Sequence, residues 1–169
     1  MKSKLQKALA VLSAISLILL SACGSAGRDG KIGEGKYTCT LTVRCDTALN
    51  ADDLAPEKRE LVPADGVILP VTAVCFNEGE SAFDVLLRAM VHEKIHLEYS
   101  ESPMYHSMYI EGINNLYEFD CGALSGWMYS VNGEFPGFGS SSYILTDGDV
   151  IEFLYTCDLG ADVGGEFTG

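Results

Sequence analysis

The sequence predicts a single α+β domain in which one main helix packs on a mixed sheet of four to six strands. Two observations lead to this prediction. After residue 36, only one stretch shows a convincing helical period of apolar residues. Several short stretches rich in β-branched and aromatic residues lie on either side of it, and glycine, proline or asparagine residues separate them.

The first predicted strand is 37–45, where Cys39, Leu41 and Val43 alternate with threonines and Arg44. This period of two is typical of a half-buried strand. The next apolar stretch, 66–76, is interrupted only by Pro70. Because proline cannot donate a ladder hydrogen bond, we expect one or two short strands here.

The helix is predicted to begin at Ser81. Ser81 and Asp84 match the capping-box pattern, in which the two side chains bond each other's backbone N–H groups. Apolar residues then follow at helical spacing, as one stripe that faces the core. They are Phe83, Leu86, Leu87, Met90 and Val91.

From residue 95 onward the pattern returns to short strands. The predicted strands are 95–99, 108–111, 116–119, 127–131 and 150–156. Asn132-Gly133 and Asp147-Gly148 supply residues that tolerate the positive φ of tight turns. One helix crossing such a sheet has the outline of a β-grasp-like domain.

The first 22 residues have the composition of a secretion signal. Lys2, Lys4 and Lys7 precede an apolar run from Ala8 to Leu20, which is too short for a spanning helix. The segment ends Leu20-Ser21-Ala22-Cys23, which resembles the lipobox of bacterial lipoproteins, so Cys23 is expected to carry the lipid. An ordinary signal peptide with a chance cysteine and an uncleaved anchor are the alternatives.

Cleavage before Cys23 leaves 147 residues and changes the formal charge from −13 to −16. So acidic a chain repels nucleic acid and anionic lipid. Residues 23–36 are glycine-rich and lack an apolar period, which predicts a lipidated flexible tether with a reach of roughly 20 Å. The domain is predicted to occupy 37–169.

Lipidation of Cys23 leaves five cysteines, and an odd number cannot all pair. Cys39 and Cys45 are about 20 Å apart if both lie on one extended strand, which is too far for a disulfide. We prefer Cys121 with Cys157, because they flank two segments expected to share a sheet. No Cys-x-x-Cys pair indicates a metal site.

The segment 92–96, His-Glu-Lys-Ile-His, fits the H-E-x-x-H pattern of zinc peptidases. That chemistry needs both histidines on one helical face, yet the helical period stops at Val91 and a strand pattern starts at Ile95. Lys94 also places a cation where a divalent ion would bind. We therefore interpret the segment as the solvated end of the helix and predict no metal site.

The sequence shows no other arrangement of residues that would support catalysis. Asp147-Gly148-Asp149 lacks the ligand series of a calcium loop and is interpreted as a turn. No nucleophile with its base is evident. The prediction is therefore of a protein that is not an enzyme and has no catalytic cofactor.

Three segments carry a resemblance to a known family: 78–81 with the helix that follows, 109–116, and 125–156 with its Ser-Gly-Trp-Met-Tyr-Ser-Val-Asn-Gly run. They resemble the transcobalamin-like C-terminal domain family, over roughly 37–164. That family includes the smaller domain of animal cobalamin carriers and domains of bacterial surface lipoproteins. The large helical domain of the animal carriers is absent from this sequence.

The resemblance implies a β-grasp-type module that binds a soluble ligand, with a cobalamin-type corrinoid as the leading candidate. Aromatic walls with hydroxyl groups suit such a ligand. The residues expected to contact it are Trp127, Tyr129, Phe135, Phe138, Ser141, Tyr143, Tyr105 and Tyr109. Trp127 and Tyr129 share one face of a strand, and such a face is more often core than ligand wall.

Two functions follow as hypotheses. The first is a non-catalytic lipoprotein, anchored at the cell membrane and facing outward, that captures the ligand for a transporter or other uptake system. The second is a surface interaction or adhesion module that binds a protein or a glycan through the same aromatic loop.

Overall fold

The structure is a computed structural model, and it describes residues 30–165. The predicted signal peptide, Cys23 and the first part of the predicted tether lie outside the described residues. Among the residues described, no helix is both long enough and apolar enough to cross a bilayer.

The larger sheet has five strands in the order β1-β3-β2-β8-β7. They are β1 (Lys31–Ile32), β2 (Tyr37–Arg44), β3 (Val67–Phe76), β7 (Gly126–Val131) and β8 (Val150–Thr156). The sheet is mixed, since β1 is parallel to β3 and β2 is parallel to β8, while the other neighbours are antiparallel.

A second sheet of three antiparallel strands has the order β4-β5-β6. Its strands are β4 (Leu97–Ser102), β5 (Ser107–Ile113) and β6 (Leu116–Tyr117). The predicted α+β class with one main helix is confirmed, and the strands divide between two sheets. A short helix, α1 (Pro56–Arg59), lies between β2 and β3.

The main helix is α2 (Ala82–Glu93), and it begins as predicted. The Ser81 side chain accepts a hydrogen bond from Asp84 N, and the Asp84 carboxylate accepts one from Ser81 N. The helix ends where Lys94 adopts a left-handed conformation with φ of 60°. Two reciprocal caps therefore fix its first turn, and its apolar face lies against the sheet.

The stretch 66–76, predicted as one or two short strands, forms the single strand β3, which runs through Pro70 with register shifts against β2. The proline fits because β1 pairs with β3 only at Ala73 and Val74, so Pro70 lies beyond that pairing. Lys31 and Ile32, which fall within the predicted tether 23–36, form β1, and Ile32 is buried there.

The core lies between the inner face of the larger sheet, α2 and the inner face of the smaller sheet. Alternate residues of β2 and β8 point inward, as the period of two predicts, and α2 supplies its buried stripe. Ile110 and Ile113 of β5 complete this core. A smaller apolar cluster around Cys45, Leu116 and Tyr155 fills the end of the same face.

Candidate ligand-binding site

The two aromatic residues of β7 point into the core. Tyr129 stacks on Phe153 with ring centroids 5.8 Å apart, and Trp127 packs edge-on against Tyr155 at 5.2 Å. The indole N–H of Trp127 donates to the Leu116 carbonyl at 2.9 Å. Tyr129 is buried and Trp127 is half-buried, so packing within the fold accounts for the positions of both rings.

In the loop after β7, a series of ring contacts leads from the buried Tyr129 to the exposed Phe138. Tyr143 packs edge-on against Tyr129 at 6.5 Å, and Phe138 stacks on Tyr143 at 6.2 Å with an interplanar angle of 16°. Tyr129 also donates its hydroxyl hydrogen to the Phe138 carbonyl at 2.8 Å. Phe138 is thus fixed in place from below while its side chain remains 54% exposed.

The turn between β4 and β5 lies against this loop. The Met108 N–H donates to Ser141 Oγ at 2.9 Å. A Cβ at Gly139 would lie 2.5 Å from Ser107 Oγ, so the close approach requires glycine. Two exposed apolar side chains stand at the tip of this hairpin, Met104 and Tyr105, the latter 74% exposed.

Four exposed apolar side chains of this hairpin and loop, together with the half-buried Tyr143, form what we call the hairpin–loop surface. Its members are Met104, Tyr105, Phe138, Tyr143 and Ile144. Burial, followed by the charge of nearby Asp149, raises the pKa of Tyr143, so its hydroxyl stays neutral and able to donate. The surface offers ring faces, a thioether and hydroxyl groups to a partner with an apolar body.

The eight predicted residues do not all lie together. Phe138, Ser141 and Tyr143 lie in the loop part of the hairpin–loop surface, and Tyr105 lies at the exposed hairpin tip. Tyr129 is buried in the core, and Trp127 packs half-buried against it. Phe135 and Tyr109 lie elsewhere. The Phe135 ring packs against Gly165, where a Cβ would be 2.8 Å from it.

Tyr109 occupies the outer face of the smaller sheet, where its hydroxyl donates to the Glu118 carboxylate. Burial, with the Glu118 hydrogen bond as the second cause, raises its pKa to about 12. Met104 and Ile144 were not predicted as surface members. Met104 follows Ser102-Pro103, a turn signal that would have indicated an exposed apolar residue.

The H-E-x-x-H segment does not form a helical pair of ligands. Because α2 ends at Glu93, His96 lies beyond the helix, as predicted. His92 Nδ1 instead lies 2.8 Å from Glu93 Oε1, and His96 packs near Tyr117 at 6.0 Å between centroids. Within residues 30–165 no group of three His, Cys, Asp or Glu side chains is arranged to hold a metal ion.

Asp147-Gly148-Asp149 forms the predicted turn. The buried Asp149 carboxylate accepts hydrogen bonds from Thr146 N at 2.8 Å, Thr146 Oγ1 at 3.0 Å and Asn132 Nδ2 at 2.9 Å. Asp147 Oδ1 accepts from Thr38 N at 2.9 Å. The two carboxylates therefore join this turn to the neighbouring turn and to β2.

All five cysteines of the described residues are free thiols. The predicted Cys121–Cys157 disulfide is thus not formed in this structure. Burial raises the pKa of Cys45 and of Cys121 to about 12 and that of Cys39 to about 11. Buried thiols of this kind stay protonated and react slowly.

A second exposed apolar patch lies at the opposite end of β7. It consists of Phe119, Leu124 and Leu159, and the Leu159 N–H donates to the Leu124 carbonyl at 3.0 Å. Phe119 and Leu159 have φ of 66° and 47°. Large side chains rarely adopt this left-handed backbone, which costs of order 1 kcal/mol or more.

Comparison with known proteins gives a family match and likenesses to solved structures. Residues 79–156, just under half of the chain, match the family described as "Domain of unknown function (DUF4430)". No curated protein matches the sequence.

The crystal structure of haptocorrin in complex with Cbi superposes with a TM-score of 0.54 at 17% identity, and the alignment covers 80% of this chain and 29% of the haptocorrin chain. A protein of Ruminococcus gnavus ATCC 29149, provisionally described as metal-binding, gives a TM-score of 0.45 at 16% identity, covering 72% of this chain and 97% of its own. The haptocorrin likeness shows that this chain has a transcobalamin-like fold. This chain spans less than a third of the length of the haptocorrin chain.

Proposed function

We propose that the protein is a non-catalytic, lipid-anchored surface protein that binds a soluble ligand of the corrinoid class and delivers it to an uptake system. The observation that carries the proposal is the hairpin–loop surface. This surface is built from two segments far apart in sequence. The rings of Tyr105 and Phe138 are exposed to solvent rather than packed into the core.

The aromatic ring of Phe138 is not only exposed but also held in a fixed position, and this favours ligand binding. Phe138 is held by the Tyr129 hydroxyl, which donates to its backbone carbonyl, and by stacking on Tyr143, so its ring loses little freedom when a ligand binds. A preorganised ring gives more net affinity than a mobile one. A corrinoid has a broad body with apolar edges and amide groups, which matches rings flanked by hydroxyls.

The structural likeness supports the ligand class. Haptocorrin was solved in complex with Cbi, cobinamide, and the part of that chain aligned here shares the fold described above. The proposed anchor at Cys23 supports delivery. A domain tethered near a membrane reaches a transporter there at a high effective concentration.

Calorimetric titration of the purified full chain in detergent, with cobinamide and then cobalamin, tests the proposal. Phe138→Ala is expected to weaken binding about tenfold, because an anchoring aromatic contact is worth about 1–2 kcal/mol. Phe119→Ala is the matched control, since it removes another exposed phenylalanine outside the surface. No binding of either corrinoid at millimolar concentration, or equal losses in both variants, would contradict the proposal.

The second function, a surface interaction module, is favoured by the patch of Phe119, Leu124 and Leu159. Exposed apolar groups on a strained backbone are more typical of an interface than of an inert surface. Cross-linking in the cells that make the protein distinguishes the two functions. A partner protein lost in Phe119→Ala but kept in Phe138→Ala favours the interaction module.

A further inference from the structure

The distribution of positive charge along the chain is uneven. All 11 Lys and Arg residues lie at or before Lys94, whereas residues 95–169 contain 12 of the 24 acidic residues and no Lys or Arg. Both segments of the hairpin–loop surface come from this later part. The surface is therefore built entirely from elements that carry carboxylates and no lysine or arginine.

Two exposed carboxylates belong to the segments that carry this surface. Glu101 of β4 is the register partner of Met108, close to the hairpin tip, and Glu134 immediately precedes the loop. Both residues are exposed. Burial, followed by the charge of nearby Asp149, raises the pKa of Tyr143, and this second cause is a negative charge beside the surface.

Two aromatic faces elsewhere in the described part of the molecule are covered by lysines of the chain itself. Lys36 Nζ lies 4.8 Å from the centroid of Tyr37, and Lys58 Nζ lies 4.7 Å from that of Tyr117. Within residues 30–165 these are the two such contacts, and neither involves the hairpin–loop surface. Its rings are thus open to a cation supplied from outside the chain.

We infer that the hairpin–loop surface selects ligands that carry positive charge on an apolar body, over neutral or anionic ligands of the same shape. Ring faces attract the cation at short range, and the carboxylates of Glu101 and Glu134 attract it at longer range. This inference rests on the proposed function and narrows its substrate class to the cationic forms of a corrinoid.

A matched pair of probes tests the inference. Aquacyanocobinamide is a cation and dicyanocobinamide is uncharged, and they differ in one axial group. The cationic form is expected to bind the full chain about tenfold more tightly at low salt, within the range of a partly desolvated cation–π contact. Raising the ionic strength from about 0.01 M to about 1 M shortens the screening length from about 30 Å to about 3 Å. It should therefore reduce the ratio of the two affinities, cationic form over uncharged form.

Variants then locate the effect. Glu101→Gln combined with Glu134→Gln should lower the ratio to about threefold, whereas Glu57→Gln on α1 should leave it unchanged. His106, at the hairpin tip, could coordinate cobalt in the aqua form, so the ratio is also measured in His106→Ala. A ratio that persists there supports charge selection, and one that disappears overturns it.

Two further outcomes separate the inference from the proposed function. If both cobinamides bind with equal affinity, the inference is wrong and the proposed function stands. If neither binds, the proposed function itself fails.

Discussion

Tyr129 and Phe138 are nine residues apart and are joined by a hydrogen bond, yet they lie in opposite environments. Tyr129 is 9% exposed and Phe138 is 54% exposed. The strand places Tyr129 by register, because it lies opposite Phe153 on the inward face of β8. Phe138 is held by its backbone carbonyl, which accepts the Tyr129 hydroxyl hydrogen, so its ring remains exposed to solvent. Residues of similar chemistry thus serve the core in β7 and a surface in the loop.

The largest test of this comparison replaces each ring by a methyl group. Tyr129→Ala is expected to lower the free energy of unfolding by about 3–5 kcal/mol, because it opens a cavity against Phe153. Phe138→Ala should cost at most about 1 kcal/mol. Urea denaturation measures both. Equal losses would show that Phe138 belongs to the core, and the comparison would fail.

A smaller change removes only the link between the two regions. Tyr129→Phe keeps the ring and deletes the hydroxyl that donates to the Phe138 carbonyl. The expected loss is about 1 kcal/mol, the net value of a typical hydrogen bond. Corrinoid affinity should fall as well, because the loop is then less well ordered. Unchanged affinity with the stability loss would show that this bond does not organise the surface.

The contact between loop and hairpin is tested by Ser141→Ala. The variant removes the acceptor of the Met108 N–H and is expected to cost about 0.5–1 kcal/mol. Ser142→Ala is the control, since Ser142 is exposed and adjacent. Hydrogen exchange of the Met108 amide should accelerate only in Ser141→Ala. If both variants behave alike, the hairpin is held in place by other contacts.

Local patterns predicted the elements and the inward residues, because both depend on neighbours in sequence. The cap at Ser81, strand 150–156 and most of the helical stripe were readable from spacing. Val91, predicted for the stripe that faces the core, is instead 70% exposed in the last turn of the helix. The sequence pattern also indicated that Trp127 and Tyr129 share a face of the kind that is usually core. Tyr129 is buried in the core, and Trp127 packs half-buried against it.

The sequence could not predict contacts between distant segments. Ser141 meets Met108 across 33 residues, and no local pattern reports this pairing. Tyr109 was grouped with the loop because of its residue type, but its position on β5 directs it to the outer face of the smaller sheet. Likewise β1 has only two residues, too few to show a period, so its burial in the larger sheet was not visible.

Tyr109 lies in neither of these environments but on the outer face of the smaller sheet. Its substitution is expected to have the smallest effect, a change in how stability depends on pH. Its pKa is raised to about 12, first by burial and then by its hydrogen bond to Glu118. A tyrosine with a raised folded-state pKa stabilises the fold fully below the unfolded value near 10, and this contribution is lost as the pH rises toward 12.

The Tm should therefore fall between pH 10 and pH 12, and in Tyr109→Phe it should fall less steeply, since one of the titrating groups is gone. Tyr129, Tyr143 and Tyr155, whose pKa values are also raised by burial, keep part of the slope in that variant. Corrinoid affinity at pH 8 should be the same in Tyr109→Phe as in the parent protein. A loss of affinity there would place Tyr109 in the binding site and extend that site across the smaller sheet.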